Sequence, residues 1–312
     1  MVDKIATRQA YGEILVELGS KDENIVVLDA DLSGSTMTKF FAKEFPERFF
    51  NVGVAEQNLC GIAAGVALSG KTVFASSFAM FAAGRAYEIV RNSIGYTSAN
   101  VKICATHAGV TVGEDGGSHQ CIEDLALMRS IPGMTVINPA DAVSAKKLIA
   151  AAAALKGPVY VRLGRAAVPT LYSEEDTVEI GKSITVREGT DVTVIATGVL
   201  VNEAMIAAEN LKEQGINVRV LDMHTIKPID VDAICKAARE TKRIVTAEEH
   251  NVLGGLGGAV SEVLAKHCPV PMRFVGIQDI FGKSGKPAEL LKEYHLVASD
   301  IEEAVKELIG EA

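Results

Sequence analysis

Tryptophan is absent from the 312 residues, and aromatic side chains make up only 5% of them. With ten Phe and six Tyr, the core has to be built from aliphatic and small side chains, so two aromatics close together stand out. Cysteine is scarce and poorly arranged for metal or disulfide work. The five residues Cys60, Cys104, Cys121, Cys235 and Cys268 are an odd number with no C-x-x-C spacing, which speaks against a zinc site or a disulfide framework and for reduced core thiols. No apolar run is long and charge-free enough to span a bilayer, and the opening stretch MVDKIATRQAYGEIL is amphipathic without a signal-peptide core. A cytoplasmic location is therefore expected. Basic residues number 31 against 40 acidic ones, a net charge of −9, which argues against a general nucleic-acid or membrane surface. An anionic ligand would have to be held by a few local cations.

What is present is an ordinary globular composition, 48% hydrophobic and 23% charged, in a chain longer than one typical core. Two domains are the natural expectation. The stretch NVGVAEQNLCGIAAGVAL at 51–68 organises the first. It predicts a helix rich in Ala and Gly, able to pack very close to its neighbours, with one carboxylate, Glu56, at its mouth. The commoner fate of such a residue is to sit on the positive end of the helix dipole. Shielded from water, however, its pKa would rise, and it could stay protonated and donate a hydrogen bond.

Around it the chain alternates. A helix over 6–18 leads to the apolar strand 25–32, which ends in Asp29, Asp31, Ser33, Gly34 and Ser35, where open parallel sheets collect ligand contacts. Helices are expected at 38–45, 84–93 and 142–155, and strands at 71–78, 101–109, 134–140 and 157–165, with a polar loop, VTVGEDGGSHQ, at 110–120. Periodicity weakens over 166–188, the expected linker. A second alternation fills 189–312: strands at 191–198, 217–223, 243–250 and 272–277, and helices at 202–214, 231–241, from 254 onward and at 301–310. Strands alternating with helices imply right-handed crossovers and two three-layer α/β domains with mainly parallel sheets, the second smaller. The glycines of GGLGGAV at 254–260 lack full dinucleotide-fingerprint spacing, and close helix packing explains them better.

Several residues could serve a site and not a core alone. Phe78 and Phe81, three apart, are usually plain core, but could wall a flat heteroaromatic ring. The loop with Glu114, Asp115, Ser118 and His119 suits contact with a substrate. His107 ends a buried strand, where a lone histidine is more often structural.

The segments ATRQAY, LDADLSGS, VGVAEQ, SSFAMF, ATHAG, GEDGGSHQ, EEHNVLGGLGGAV and VGIQDIFGKSG together resemble successive motifs of the C-terminal half of transketolase, a thiamine-diphosphate enzyme. The resemblance covers nearly the whole chain and implies a pyrimidine-binding domain at 1–165 followed by a transketolase C-terminal domain at 189–312. It implies that Glu56 hydrogen-bonds N1′ of the cofactor's aminopyrimidine and promotes the imino tautomer that generates the ylid, with Phe78 and Phe81 around the pyrimidine and Asp31 near the cofactor at a subunit interface. By the same resemblance His119 contacts the donor and stabilises charge on its oxygen, Asp115 meets a sugar hydroxyl, and Arg8, Ser35, His107 and Arg165 clamp the phosphate of a sugar phosphate. Two arginines, a histidine and a hydroxyl can fix a phosphate locally in an acidic chain. Gly84 stands where many transketolases place a tyrosine, so that side of the pocket departs from the family pattern.

The G-D-G motif with its later Asn, which in such enzymes holds the diphosphate through a divalent cation, is missing. GEDGG at 113–117 is a different loop. A complete C-terminal subunit of a split transketolase is thus expected, moving a two-carbon ketol unit between sugar phosphates. An N-terminal partner subunit would bind Mg²⁺ or Ca²⁺ and share thiamine diphosphate, and self-association would form the dimer core of a heterotetramer. The β subunit of a 2-oxo acid dehydrogenase fits less well because of GEDGGSHQ and the clamp. Half of a 1-deoxyxylulose-5-phosphate synthase shares the Glu and the phosphate logic. A non-catalytic scaffold would have no use for Glu56, His119 and the clamp.

Overall fold

The structure, a computed structural model, describes residues 4–310; the expected domain ends at 1 and 312 lie outside them. Strand β1 (Lys4–Ala6) leads into α1 (Thr7–Lys21), whose apolar residues Ala10, Tyr11, Ile14 and Leu15 recur at helical spacing and are all buried. Next come β2 (Ile25–Asp29), the short α2 (Ser33–Thr36) and α3 (Lys39–Glu44), β3 (Phe49–Asn51), α4 (Glu56–Leu68) and β4 (Thr72–Phe78). Residues 80–95, expected as a regular helix from 84, instead form two π-helical turns, Met80–Arg85 and Val90–Gly95, around the short α5 (Tyr87–Ile89). The half ends with β5 (Val101–Thr106), α6 (Asp124–Arg129), β6 (Thr135–Ile137), α7 (Ala142–Ala154) and β7 (Val159–Arg162).

The remainder holds β8 (Ala167–Pro169), β9 (Ile184–Arg187), β10 (Val192–Ala196), α8 (Leu200–Lys212), β11 (Val218–Asp222), β12 (Thr225–Lys227), α9 (Val231–Thr241), β13 (Ile244–Asn251), α10 (Leu256–His267), β14 (Met272–Ile277), α11 (Pro287–Glu293) and α12 (Ala298–Gly310). The stretch 166–188 is therefore not featureless. β8 pairs antiparallel with β1, and β9 joins the second sheet antiparallel to β11.

Seven strands form the first sheet in the order β12-β6-β7-β5-β4-β2-β3, and five the second in the order β14-β13-β10-β11-β9. All neighbours are parallel except β12 with β6 and β9 with β11. β12 belongs in sequence to the second half but lies on the edge of the first sheet, stitching the halves together. β2 and β5 are buried at every residue, the pattern of parallel strands covered on both faces. One core packs α1, α3 and α7 against the first sheet and another packs α8 and α12 against the second. A third core, on the opposite faces, runs through α4 and α6 into α9 and α10, so a single apolar layer spans both sheets. In α4 the buried face is Leu59, Cys60, Ala63, Ala64 and Ala67. Enlarging one of those alanines would cost about 1–3 kcal/mol.

The directions of the connections place two crevices. In the first sheet the connection leaving β2 goes one way, to β3, and that leaving β4 goes the other, to β5. In the second, β10 and β13 diverge likewise. Ligands of open α/β sheets bind at such points, beyond the carboxyl ends of the strands.

Candidate functional site

At the β2/β4 crevice the local chain is held by Asp29, which is fully buried and accepts from the backbone N–H of Leu32 at 2.5 Å and from the hydroxyls of Thr36 at 2.7 Å and Thr38 at 2.9 Å. Burial pushes this carboxyl's pKa up, and the three donors pull it back. The turn that results puts Asp31 in the left-handed region at φ 64°, accepting from Asn51 Nδ2 at 2.8 Å, and starts α2, which carries Ser35. Arg8 reaches across from α1, its Nη1 donating to the Ser35 carbonyl at 2.8 Å and lying 3.4 Å from His107 Nε2. Ser35 is thus engaged through its backbone, not its hydroxyl.

His107 follows β5 at φ 59°, and its ring stacks on Phe78 with centroids 3.9 Å apart. Burial first, then the charges of Arg8, Arg165 and His119, push the imidazole down to about 3. Its ring is therefore neutral at physiological pH. Nε2 faces the Arg8 donor, which puts the proton on Nδ1 facing Thr106 Oγ1 at 2.8 Å. Arg165 donates to the Val112 carbonyl, pairs with Glu114 at 3.3 Å and lies 3.9 Å from Asp115. Burial and the nearby Arg165 charge lower the pKa of Arg8. Two like charges that act on each other in this way favour an anion between them.

The rings of Phe78 and Phe81 lie 6.3 Å apart and only 20° from parallel. His119 presents to both at steep angles, 5.4 Å from Phe81 and 6.3 Å from Phe78. Glu56 opens α4 and is 3% exposed. Its partner is Arg85, whose Nη1 lies 3.3 Å from Glu56 Oε2 while its guanidinium sits 5.1 Å over the Phe81 ring. Arg85 is the residue that sequence reasoning missed here, although its place four residues after Phe81, on the same helical face, was a usable signal. A cavity of ≈ 410 Å³ lies beside this group, lined among others by Phe81, Arg85, Ser118, Gln120 and Phe281. A hollow of ≈ 290 Å³ near Arg91, Tyr96 and Pro132 presents no carboxylate or histidine.

Nine of the ten candidates therefore form a continuous series: Ser35 and Arg8 to His107, to Phe78, to His119 and Phe81, through Arg85 to Glu56, with Arg165 near Arg8 and Asp115 beside Arg165. Asp31 stands apart from these contacts, tied to Asn51.

The β10/β13 crevice is built differently. The N-terminus of α10 is occupied by the chain's own carboxylate: Glu248 accepts from the N–H groups of Leu256 at 2.7 Å and Gly257 at 2.8 Å. A methyl group at Gly255 would overlap Glu248, and one at Gly257 would overlap the Phe274 ring. The glycine cluster is close packing, as its spacing implied. Beyond β10, Thr197 donates to the Asn138 carbonyl at 3.3 Å, and the Asn138 side chain packs on Gly198. Arg162 binds Asp124 through Nε at 2.8 Å and donates to the Glu249 carbonyl at 2.9 Å. The first domain fills this second crevice. Among the described residues no group of three or more His, Cys, Asp or Glu could hold a metal ion, and no helix is long and apolar enough to cross a membrane.

With this geometry in place, comparison with known proteins finds two family matches: transketolase, pyrimidine binding domain, over residues 3–170, and transketolase, C-terminal domain, over 181–301. A protein of Methanocaldococcus jannaschii, provisionally named a transketolase C-terminal section, is 56% identical over 303 residues, covering 96% of this chain and 95% of its own. Human transketolase is 41% identical over 314 residues, covering 99% of this chain but 50% of its own length. Among solved structures, a split-gene transketolase described as an inactive β4 tetramer superposes with TM-score 0.91 at 52% identity, covering 99% of each chain.

Proposed function

The chain belongs to the transketolase family, and on that premise we propose that it is the C-terminal subunit of a split transketolase. It would transfer a two-carbon ketol unit from a ketose phosphate to an aldose phosphate, with thiamine diphosphate shared between this chain and an N-terminal subunit. The observation that carries the proposal is the unbroken series from the Arg8–His107 pair, past Phe78, Phe81 and His119, to Glu56. It offers an anion clamp, an aromatic wall and a shielded carboxylate on one line.

The donor set fits the cofactor's pyrimidine end. A nearly parallel aromatic pair suits a flat heteroaromatic ring, and a carboxylate that is 3% exposed suits a ring nitrogen. When bound, thiamine diphosphate supplies a nucleophilic carbon and an electron sink. Glu56 would hold the proton at N1′, with Arg85 moving aside or remaining as its counter-charge. Phe78 and Phe81 would orient the ring and exclude water. His119 would donate to the developing oxyanion of the donor, and Asp115 would accept from a sugar hydroxyl. Arg8 and Arg165 would provide charge for the phosphate, and neutral His107 a hydrogen bond without further charge. Asp31 would meet the partner at the interface. The diphosphate and its Mg²⁺ or Ca²⁺ are assigned to the partner subunit.

The split-gene relative is described as an inactive β4 tetramer, which supports the reading that this chain self-associates and is silent alone. The test is a ketol-transfer assay of the purified chain with and without a purified N-terminal subunit. Activity only in the mixture is expected. Robust turnover by the chain alone, free of partner, would sink the proposal.

A further inference from the structure

The loop that carries Asp115 and His119 is not held by its own domain alone. At its root, Glu249 at the end of β13 accepts from the backbone N–H of Thr111 at 2.6 Å, across 138 positions of sequence. Gly109 is pressed so close to that carboxylate that a single methyl group there would overlap it, and its φ of 78° suits glycine. Glu249 is itself fixed through its carbonyl by Arg162, which also donates to the Cys121 carbonyl at 3.3 Å and binds Asp124. At the far end Gln120 Nε2 donates to the Lys283 carbonyl at 3.0 Å, and Gly117 lies against the Gly282 backbone.

Glu249 and Thr111 are both buried. The buried carboxylate has the Thr111 N–H as its hydrogen-bond donor and Arg162 as its counter-charge, one from the loop and one from β7, so its position ties the two together. The loop it holds begins two residues after His107, and Arg165 reaches that loop at the Val112 carbonyl.

We infer that Glu249 is a positioning residue. From the second domain it sets the root of the 109–120 loop, and so the placement of Arg165, Asp115 and His119 against a sugar phosphate. It touches none of the reacting atoms. Its effect should fall on substrate recognition and leave the chemistry governed by Glu56 unmoved.

Two conservative variants separate reach from charge. Glu249→Asp keeps the charge facing Arg162 but withdraws the carboxylate by one methylene, and Glu249→Gln keeps the length and an acceptor for Thr111. On the isolated chain, amide hydrogen exchange at Thr111 is expected to rise about tenfold or more in Glu249→Asp and to stay near wild type in Glu249→Gln. In the complex reconstituted with the N-terminal subunit, Glu249→Asp is expected to raise KM for a ketose phosphate about tenfold. Exchange of the cofactor C2 hydrogen should stay within about twofold, and Glu249→Gln should restore KM.

Unchanged Thr111 exchange in Glu249→Asp would overturn the inference. So would greater damage from Glu249→Gln than from Glu249→Asp, which would make charge toward Arg162 the role, or a C2 exchange that fell in step with recognition. The kinetic arm rests on the proposed function, but the exchange arm does not. A wild-type complex without transketolase activity, alongside faster Thr111 exchange in Glu249→Asp, would count against the functional reading while supporting the loop-setting role.

Discussion

The two sheets offer the same kind of crevice and use it in opposite ways. At β2/β4 the strands end in side chains that meet one another beside an open cavity. At β10/β13 Asn138 and Arg162 of the first domain fill the space, and Glu248 already occupies the helix N-terminus. Each crevice holds an arginine–carboxylate pair. Arg162–Asp124 is sealed, with side chains 4% and 0% exposed, whereas the Arg85 side chain is 56% exposed over a buried Glu56. Topology locates a site, but what fills the crevice decides whether it can work. Here the closed one has become a buttress for the loop of the open one.

The contrast is broken most severely at the sealed pair. Arg162→Leu strands Asp124 in the interior and is expected to cost about 3–5 kcal/mol, a large part of the 5–15 kcal/mol roughly typical of a folded domain. Arg85→Leu in the open crevice is expected to cost less, about 1–3 kcal/mol, because Glu56 loses its partner but water can reach the place Arg85 leaves. Urea unfolding of both variants checks this, and similar losses would show that the pairs are equivalent.

A smaller effect is expected at the clamp. Arg8→Ala or Arg165→Ala should remove about 1.5–3 kcal/mol of binding to a phosphorylated donor and much less for unphosphorylated hydroxypyruvate. Steady-state kinetics on the reconstituted complex measure it. Equal losses on both donors would make these arginines structural.

Just below neutrality the smallest effect is on the pH dependence of stability, and it grows as pH falls further. His107 stays unprotonated when folded down to about 3, against 6.5 for an ordinary histidine. Between those values the unfolded chain binds more protons, so stability rises with pH. The contribution is complete above the unfolded value and lost as pH falls toward the folded one. His224, buried and lowered to about 4, adds to the same window. His107→Gln should flatten the fall in urea midpoint below neutrality without abolishing it, and an unaltered slope would mean that His107 is not the titrating group.

The alternating elements were legible because their periods are strong: β2, β5 and β10 are unbroken buried runs, and α9 begins and ends where its pattern does. β12 was not, since three residues cannot display a period of two and its partner β6 lies some ninety residues earlier. The π turns at 80–95 share the spacing of an ordinary helix and leave no separate mark. Of the site, Glu56, Phe78, Phe81 and His107 could be singled out from local composition, and the substrate residues from resemblance. Arg85 was visible but passed over. Glu249 was not visible as a contact of Thr111, because a hydrogen bond spanning 138 positions has no local trace. Ser35 meets Arg8 through its carbonyl, a contact that no side-chain pattern encodes.

Glu56 carries the central claim, that the open crevice is where the chemistry is governed. Glu56→Gln is nearly isosteric and still hydrogen-bonds, but it cannot shift a proton at the pyrimidine nitrogen. The direct measurement is deuterium exchange at C2 of thiamine diphosphate in the reconstituted complex, quenched and read by NMR. A soluble, complex-forming variant with much slower exchange than wild type is the predicted result. Exchange as fast as wild type would contradict it and return Glu56 to the role of a charge at the start of a helix.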